Sequence, residues 1–168
     1  MTMIHINARA IIERHTATGT EIVLQTRSRA HEGVKQLELP GGRIEPYESL
    51  FHALRREVRE ETGLDVESIQ RYGPTVEIGP RASMVECFQP FAVFQTTQGP
   101  IDAIGVYFRC TARGRLLTHG DNSENIRWVA VHEVAEWVQR TPDLFSLDLA
   151  GIVYYLQHIE VVPRALNF

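Results

Sequence analysis

The sequence predicts an α/β fold in which a mixed β-sheet carries helices on both faces. Three patterns lead to it. Apolar Ile4, Ile6, Ala8, Ala10 and Ile12 alternate with polar His5, Asn7 and Arg9, the period of two that marks a strand. Residues 47–62 have helical periodicity and stop at Gly63. Extended stretches rich in Val, Ile, Phe and Tyr then precede two further amphipathic repeats. With 168 residues, 43% of them hydrophobic, the chain suits one domain over residues 1–168, with a core large enough to need no disulfide.

The elements follow in order. A turn at Thr18-Gly19-Thr20 joins the first alternating run to Glu21–Thr26, giving a hairpin over 3–27. Residues 28–35 are polar and loop-like, and Gln36–Leu39 is a short extended piece ended by Pro40-Gly41-Gly42. After the helix at 47–62, extended stretches are expected near 68–79, 83–96 and 102–112, with Pro90 marking an edge or bulge. The polar run 118–125 reads as a loop before the strand Ile126–Val129. Val131, Val134, Ala135 and Val138 define a short helix, and Leu144, Leu147, Ile152, Leu156 and Ile159 a longer last one.

Charge narrows the function. The formal net charge is −4 and the pI near 6.0, which argues against a polynucleotide partner, since dense phosphate contact requires a basic face. No apolar stretch is long enough to span a membrane, and Met1–Ile6 lacks the regions of a signal peptide. Cys87 and Cys110 form no CxxC and are expected as two buried free thiols, so a cytoplasmic location is expected.

The helix at 47–62 has acids on the wrong side. At 100° per residue, Leu54, Val58 and Phe51 join Leu50 on one apolar face, yet Glu57 and Glu61 fall within about 20° of Leu50. Glu60 lies close by, and all three are i, i+3 or i, i+4 neighbours. Each close pair of like charges costs up to about 4 kcal/mol at 4 Å and an effective dielectric near 20. Either some of these acids stay protonated or a polyvalent cation sits among them. Ligation by oxygen alone points to Mg²⁺ or Mn²⁺.

The segment from Gly42 to Leu64 resembles the Nudix box, which reads Gly, five residues, Glu, seven residues, then Arg-Glu-aliphatic-x-Glu-Glu-x-Gly-aliphatic. Gly42, Glu48, Arg56, Glu57, Val58, Glu60, Glu61, Gly63 and Leu64 meet every specified position. The resemblance implies a Nudix-type α/β/α sandwich and hydrolysis of the pyrophosphate bond in a nucleoside diphosphate linked to another moiety. It implies Glu57, Glu60 and Glu61 as ligands of Mg²⁺ or Mn²⁺, joined by the Gly41 carbonyl. It makes Arg56 the residue that orients the carboxylates and Glu48 a support for the loop–helix junction. Tyr47 stands where many members carry Gly.

In some branches a box Glu is the general base; in others it is a Glu in a loop before a Trp-containing strand, a place that Glu124 fits, with Asp121 in reserve. Arg9, Arg27 and Arg29 are candidates to meet substrate phosphates. Glu38 before Leu39-Pro40 is similar to the pattern of branches acting on ADP-ribose and nucleotide sugars, and a nucleoside triphosphate is the competing substrate. A non-catalytic nucleotide-binding sensor is the alternative function. The partner implied is a small nucleotide, and homodimers occur among relatives.

Overall fold

The computed structural model describes residues 4–27, 35–80 and 83–164. Strands β1 (His5–Thr16) and β2 (Gly19–Arg27) form the expected hairpin. Two short strands follow, β3 (Leu37–Glu38) and β4 (Gly41–Arg43), and lead into helix α1 (Leu50–Thr62). Next come β5 (Asp65–Ile69), β6 (Val76–Ile78), β7 (Val85–Cys87), β8 (Ala92–Gln95) and β9 (Ala103–Arg113). The described chain closes with β10 (His119–Gly120), β11 (Ser123–Ala130), α2 (Val131–Arg140), a 3₁₀ turn at Pro142–Leu144 and α3 (Leu149–His158).

The main sheet runs β10-β11-β2-β1-β9-β5, with β3 beside β2, β4 beside β1 and β8 beside β9. Among the described strands β1 and β9 alone pair in parallel, so the sheet is mixed as expected. Alternation along the central strands sorts the core onto two faces. Ala8, Ala10 and Ile12 of β1, with Val106 and Phe108 of β9, pack against Ala53, Leu54 and Val58 of α1. Ile11, Ile22, Leu24 and Tyr107 face the other way, onto α2 and α3. The layers are therefore helix, sheet, helix. Among the described residues, no helix is long and apolar enough to cross a membrane.

One detail of the sheet makes the site. β1 and β2 pair only between Glu13↔Ile22 and Thr16↔Gly19, near their turn. Beyond it they part, and residues 37–43 fill the gap: β3 adds to β2, β4 to β1, and Ala10 N–H donates to the Pro40 carbonyl at 2.8 Å. The box helix hangs directly from this wedge.

Several expectations are corrected. The helix begins at Leu50 rather than 47, because Tyr47 adopts a left-handed conformation (φ 62°) and Ser49 caps the helix by accepting from His52 N–H at 3.2 Å. Gly63 ends it in the left-handed conformation, as expected. The stretch 68–79 divides into the end of β5 and a separate β6. Around Pro90 the stretch 83–96 likewise divides, and its first half pairs with β6 as a two-stranded ribbon outside the main sheet. The polar run 118–125 is a tight hairpin turning at Asp121-Asn122, with Asn122 at φ 51°, a conformation Asn tolerates. The last helix starts at Leu149, and Leu144 and Leu147 lie before it, exposed. Cys110 is buried, but Cys87 is exposed on the ribbon, at the end of a strand whose outer residues are both exposed.

Candidate active site

The acids of α1 divide as the helical wheel requires. Glu61 is only 9% exposed, and its Oε2 accepts from Gly41 N–H (2.8 Å) and Gln25 Nε2 (2.7 Å). Burial pushes its carboxyl up to about 8, against the opposing pull of the Gly41 N–H, Arg9 and Gln25. Glu57 is half-buried and also raised, chiefly by desolvation. Glu60 points to the rim, with its side chain half-exposed.

Arg56 ties these acids to the loop before the helix. Its Nε and Nη2 form a bidentate pair with Glu48 (2.9 and 2.8 Å), and Nη1 reaches Glu57 (2.8 Å) and Glu60 (3.3 Å). Glu48 also accepts from Glu45 N–H and bonds the His52 ring. The loop–helix junction thus closes around one guanidinium.

The turn before the box presses on β1. Gly41 has φ 133°, and a Cβ there would be driven into the Ala8 carbonyl oxygen. A Cβ on Gly42 would lie 2.5 Å from the Glu57 carboxyl group. Arg9, side chain 13% exposed, donates from Nη1 to the carbonyls of Gly41 (2.6 Å) and Leu39 (3.1 Å). Its Nε lies 3.7 Å from Asp148 Oδ1 and its Nη2 4.0 Å from Glu38 Oε2. Asp148 in turn accepts from Leu39 N–H (3.0 Å) and from the Tyr107 hydroxyl (3.1 Å). Arg27 lies 3.5 Å from Glu38, whose carboxyl burial pushes up.

These groups meet at a cleft of about 580 Å³, lined by Glu57, Glu61, Gly41, Gly42, Arg9, Arg27, Arg43, Glu38 and Asp148, among others. Residues 3–147 match the NUDIX domain family. The chain belongs to the NUDIX family. It is 27% identical over 118 residues to the nucleoside triphosphatase NudI of Escherichia fergusonii, covering 70% of this chain and 78% of that one. The fold is similar to the solution structure of the E. coli ORF135 protein, with TM-score 0.61, 19% identity and 97% and 96% of the two chains covered. It is also similar to the NUDIX domain of Shewanella oneidensis NrtR complexed with ADP ribose, with TM-score 0.65, 16% identity and 95% and 90% covered. Family and triphosphatase relative together make this chain a Nudix pyrophosphohydrolase.

Nudix hydrolases generally use divalent metals, and the donors here suit a hard cation. Glu61 Oε1 and Glu57 Oε2 accept no hydrogen bond among the described residues, and both acids line the cleft beside Gly42. In this geometry no three acidic, His or Cys side chains converge into a ready cage among the described residues; Glu60 would have to swing inward from its contact with Arg56.

The remaining candidates scatter. Glu124, on β11, is paired with Lys35 and is not among the cleft residues, whereas Asp121 lines the cleft and donates its N–H to the Glu60 carbonyl (3.1 Å). Arg29 lies outside the described residues. Sequence reading missed Gln25 and Asp148. Each left one signal, a polar residue inside an otherwise apolar run (Ile22-Val23-Leu24-Gln25 and Leu147-Asp148-Leu149).

Proposed function

We propose that this chain hydrolyses the pyrophosphate bond of a small nucleotide, using Mg²⁺ or Mn²⁺ held by Glu57, Glu60, Glu61 and the Gly41 carbonyl. The substrate is a nucleoside diphosphate linked to another moiety, of the ADP-ribose or nucleotide-sugar kind, or a nucleoside triphosphate. The observation that carries this reading is Glu61: a desolvated carboxylate at the cleft wall, anchored on one oxygen by two N–H donors.

Held by Glu57, Glu60, Glu61 and the Gly41 carbonyl, such a cation would supply positive charge against the phosphates and a lowered pKa for the attacking water. The chain supplies the rest. Arg56 holds Glu57 in place through a charge-assisted bond, and the Gly41 N–H and Gln25 fix Glu61. Arg9, Arg27 and Arg43 bring positive charge to a cleft that must accept a polyanion. For the group that takes the proton from water, a place on the cleft supports Asp121 before Glu124; a box Glu is the other candidate. The two free thiols fit a reducing cytoplasm.

The test is phosphate release across nucleoside triphosphates, ADP-ribose, nucleotide sugars, dinucleoside polyphosphates and coenzyme A, with Mg²⁺ or Mn²⁺. Glu61→Gln keeps the hydrogen-bonding shape and removes the charge. It is expected to lower turnover by about 100-fold or more while leaving the fold intact, since it strips charge from the reacting centre. Unchanged turnover in this variant would sink the proposal. Tight nucleotide binding with no product from any substrate would instead favour the sensor function.

A further inference from the structure

Gly41 is clamped on every side. Its N–H donates to Glu61, its Cα lies against the Ala8 carbonyl, and its own carbonyl accepts from Arg9 at 2.6 Å. The same Arg9 nitrogen holds the Leu39 carbonyl, and Asp148, 3.7 Å from Arg9 Nε, holds the Leu39 N–H. The Arg9–Asp148 pair therefore grips the turn 39–41 from both of its polar edges and connects it to the start of α3. A carbonyl oxygen has two lone pairs. Arg9 occupies one, which fixes the direction of the other.

We propose that Arg9 is a positioning residue: it aims the Gly41 carbonyl at the divalent cation instead of binding a substrate phosphate. Its surroundings support this: Nη1 is committed to two carbonyls, while Nε and Nη2 lie toward the carboxylates of Asp148 (3.7 Å) and Glu38 (4.0 Å), whose negative charge would repel an incoming phosphate. Arg suits the task where Lys does not, since only a planar fork spans Gly41 and Leu39 on one edge and Asp148 on another. The inference rests on the hydrolase reading above, because it concerns the cation of that same site.

The experiment uses the full chain and compares wild type with Arg9→Met and Arg9→Lys. Mn²⁺ uptake without nucleotide is followed by electron paramagnetic resonance, and hydrolysis is resolved into kcat and KM. Removing a partner that orients a metal ligand typically lowers affinity or activity about 10-fold to 100-fold. R9M is therefore expected to bind Mn²⁺ about 10-fold more weakly and to lose a similar factor in kcat, with KM for the nucleotide within about 3-fold of wild type. R9K keeps the charge but not the fork and is expected to fall between the two. A KM raised about 10-fold or more with Mn²⁺ affinity and kcat unchanged would make Arg9 a phosphate ligand and overturn the proposal. Wild-type Mn²⁺ affinity and kcat in R9M, or in R9K should R9M fail to fold, would overturn it equally. If wild type itself neither takes up Mn²⁺ nor hydrolyses any nucleotide, the hydrolase reading fails and this one with it; an active wild type with unaffected variants removes only the role of Arg9.

Discussion

Replacing Glu48 by Gln removes one negative charge from the bidentate pair with Arg56 and leaves its shape almost unchanged. The Glu48 side chain is 8% exposed and that of Arg56 22%, so solvent screens the pair only in part. The hydrogen bonds from Arg56 hold the Glu48 carboxyl down at about 2, from an ordinary value near 4.5. That difference corresponds to about 3 kcal/mol of preference for the charged form in the folded state. After allowance for the residual exposure, E48Q is expected to lose about 2–3 kcal/mol at pH 7. For a chain of this size that is a fall in Tm of about 5–10 °C. The pH dependence gives a second handle. A carboxylate whose folded pKa is depressed stabilises fully above its unfolded value and loses that contribution as pH falls through the folded one. The gap between wild type and E48Q should therefore hold from pH 7 to about 4.5, shrink to roughly half near pH 3 and close by about pH 2. Urea unfolding followed by the fluorescence of Trp128 and Trp137 measures it. A difference below about 0.5 kcal/mol at pH 7, or one that stays constant down to pH 3, would refute the reasoning.

Two further variants probe the same loop. A methyl on Gly42 meets only the flexible end of Glu57, so Gly42→Ala is expected to keep the protein within about 1 kcal/mol of wild type in urea unfolding while reducing metal-dependent turnover by about 10-fold or more; wild-type turnover in G42A would show that Glu57 need not sit where it does. Tyr47 is fully exposed in a left-handed conformation, which disfavours any residue with a Cβ by about 1 kcal/mol. Tyr47→Gly should then be neutral or stabilising by up to about 1 kcal/mol, since relief of that strain outweighs the greater freedom of unfolded Gly, and a clear loss in the same assay would contradict it.

The box helix and its inward acids were legible because helical periodicity is local: placing Glu57 and Glu61 among Leu50, Leu54 and Val58 needs no knowledge of the rest of the fold. The hairpin and the two-faced core were legible for the same reason, since alternation along one strand already decides which side chains share a face. What escaped depends on contacts distant in sequence. Asp148 matters because Leu39 and Arg9 come to it from more than a hundred residues away, and nothing around Leu147-Asp148-Leu149 names them. The break of the 68–79 stretch is similar: β5 leaves β9 at Cys110, β8 pairs with β9 from Tyr107 onward, and β6 finds its own partner in β7. Arg9 is the instructive case: it was expected to meet substrate phosphates, while its observed contacts, two backbone carbonyls, carry no sequence signature at all.

The acids around the cleft fall to two sides, each organised by arginine. Arg56 faces Glu48, Glu57 and Glu60 on the outer side of α1; Arg9, with Arg27 beside Glu38, faces Glu38 and Asp148 on the inner side and acts on Glu61. Neither side is neutralised. Arg56 faces three carboxylates, and on the inner side Arg9 and Arg27 face Glu38, Asp148 and Glu61. The residual negative charge lies where the Glu57 carboxyl comes up against the backbone of Gly42 and Glu61 accepts from the Gly41 N–H. A lysine at position 56 would supply the same formal charge but could not grip Glu48 with two nitrogens while reaching Glu57 with a third. The use of Arg here is thus geometric. It holds the carboxylates apart in fixed directions without cancelling them, which leaves a site whose remaining charge a divalent cation would offset and a single monovalent ion would not.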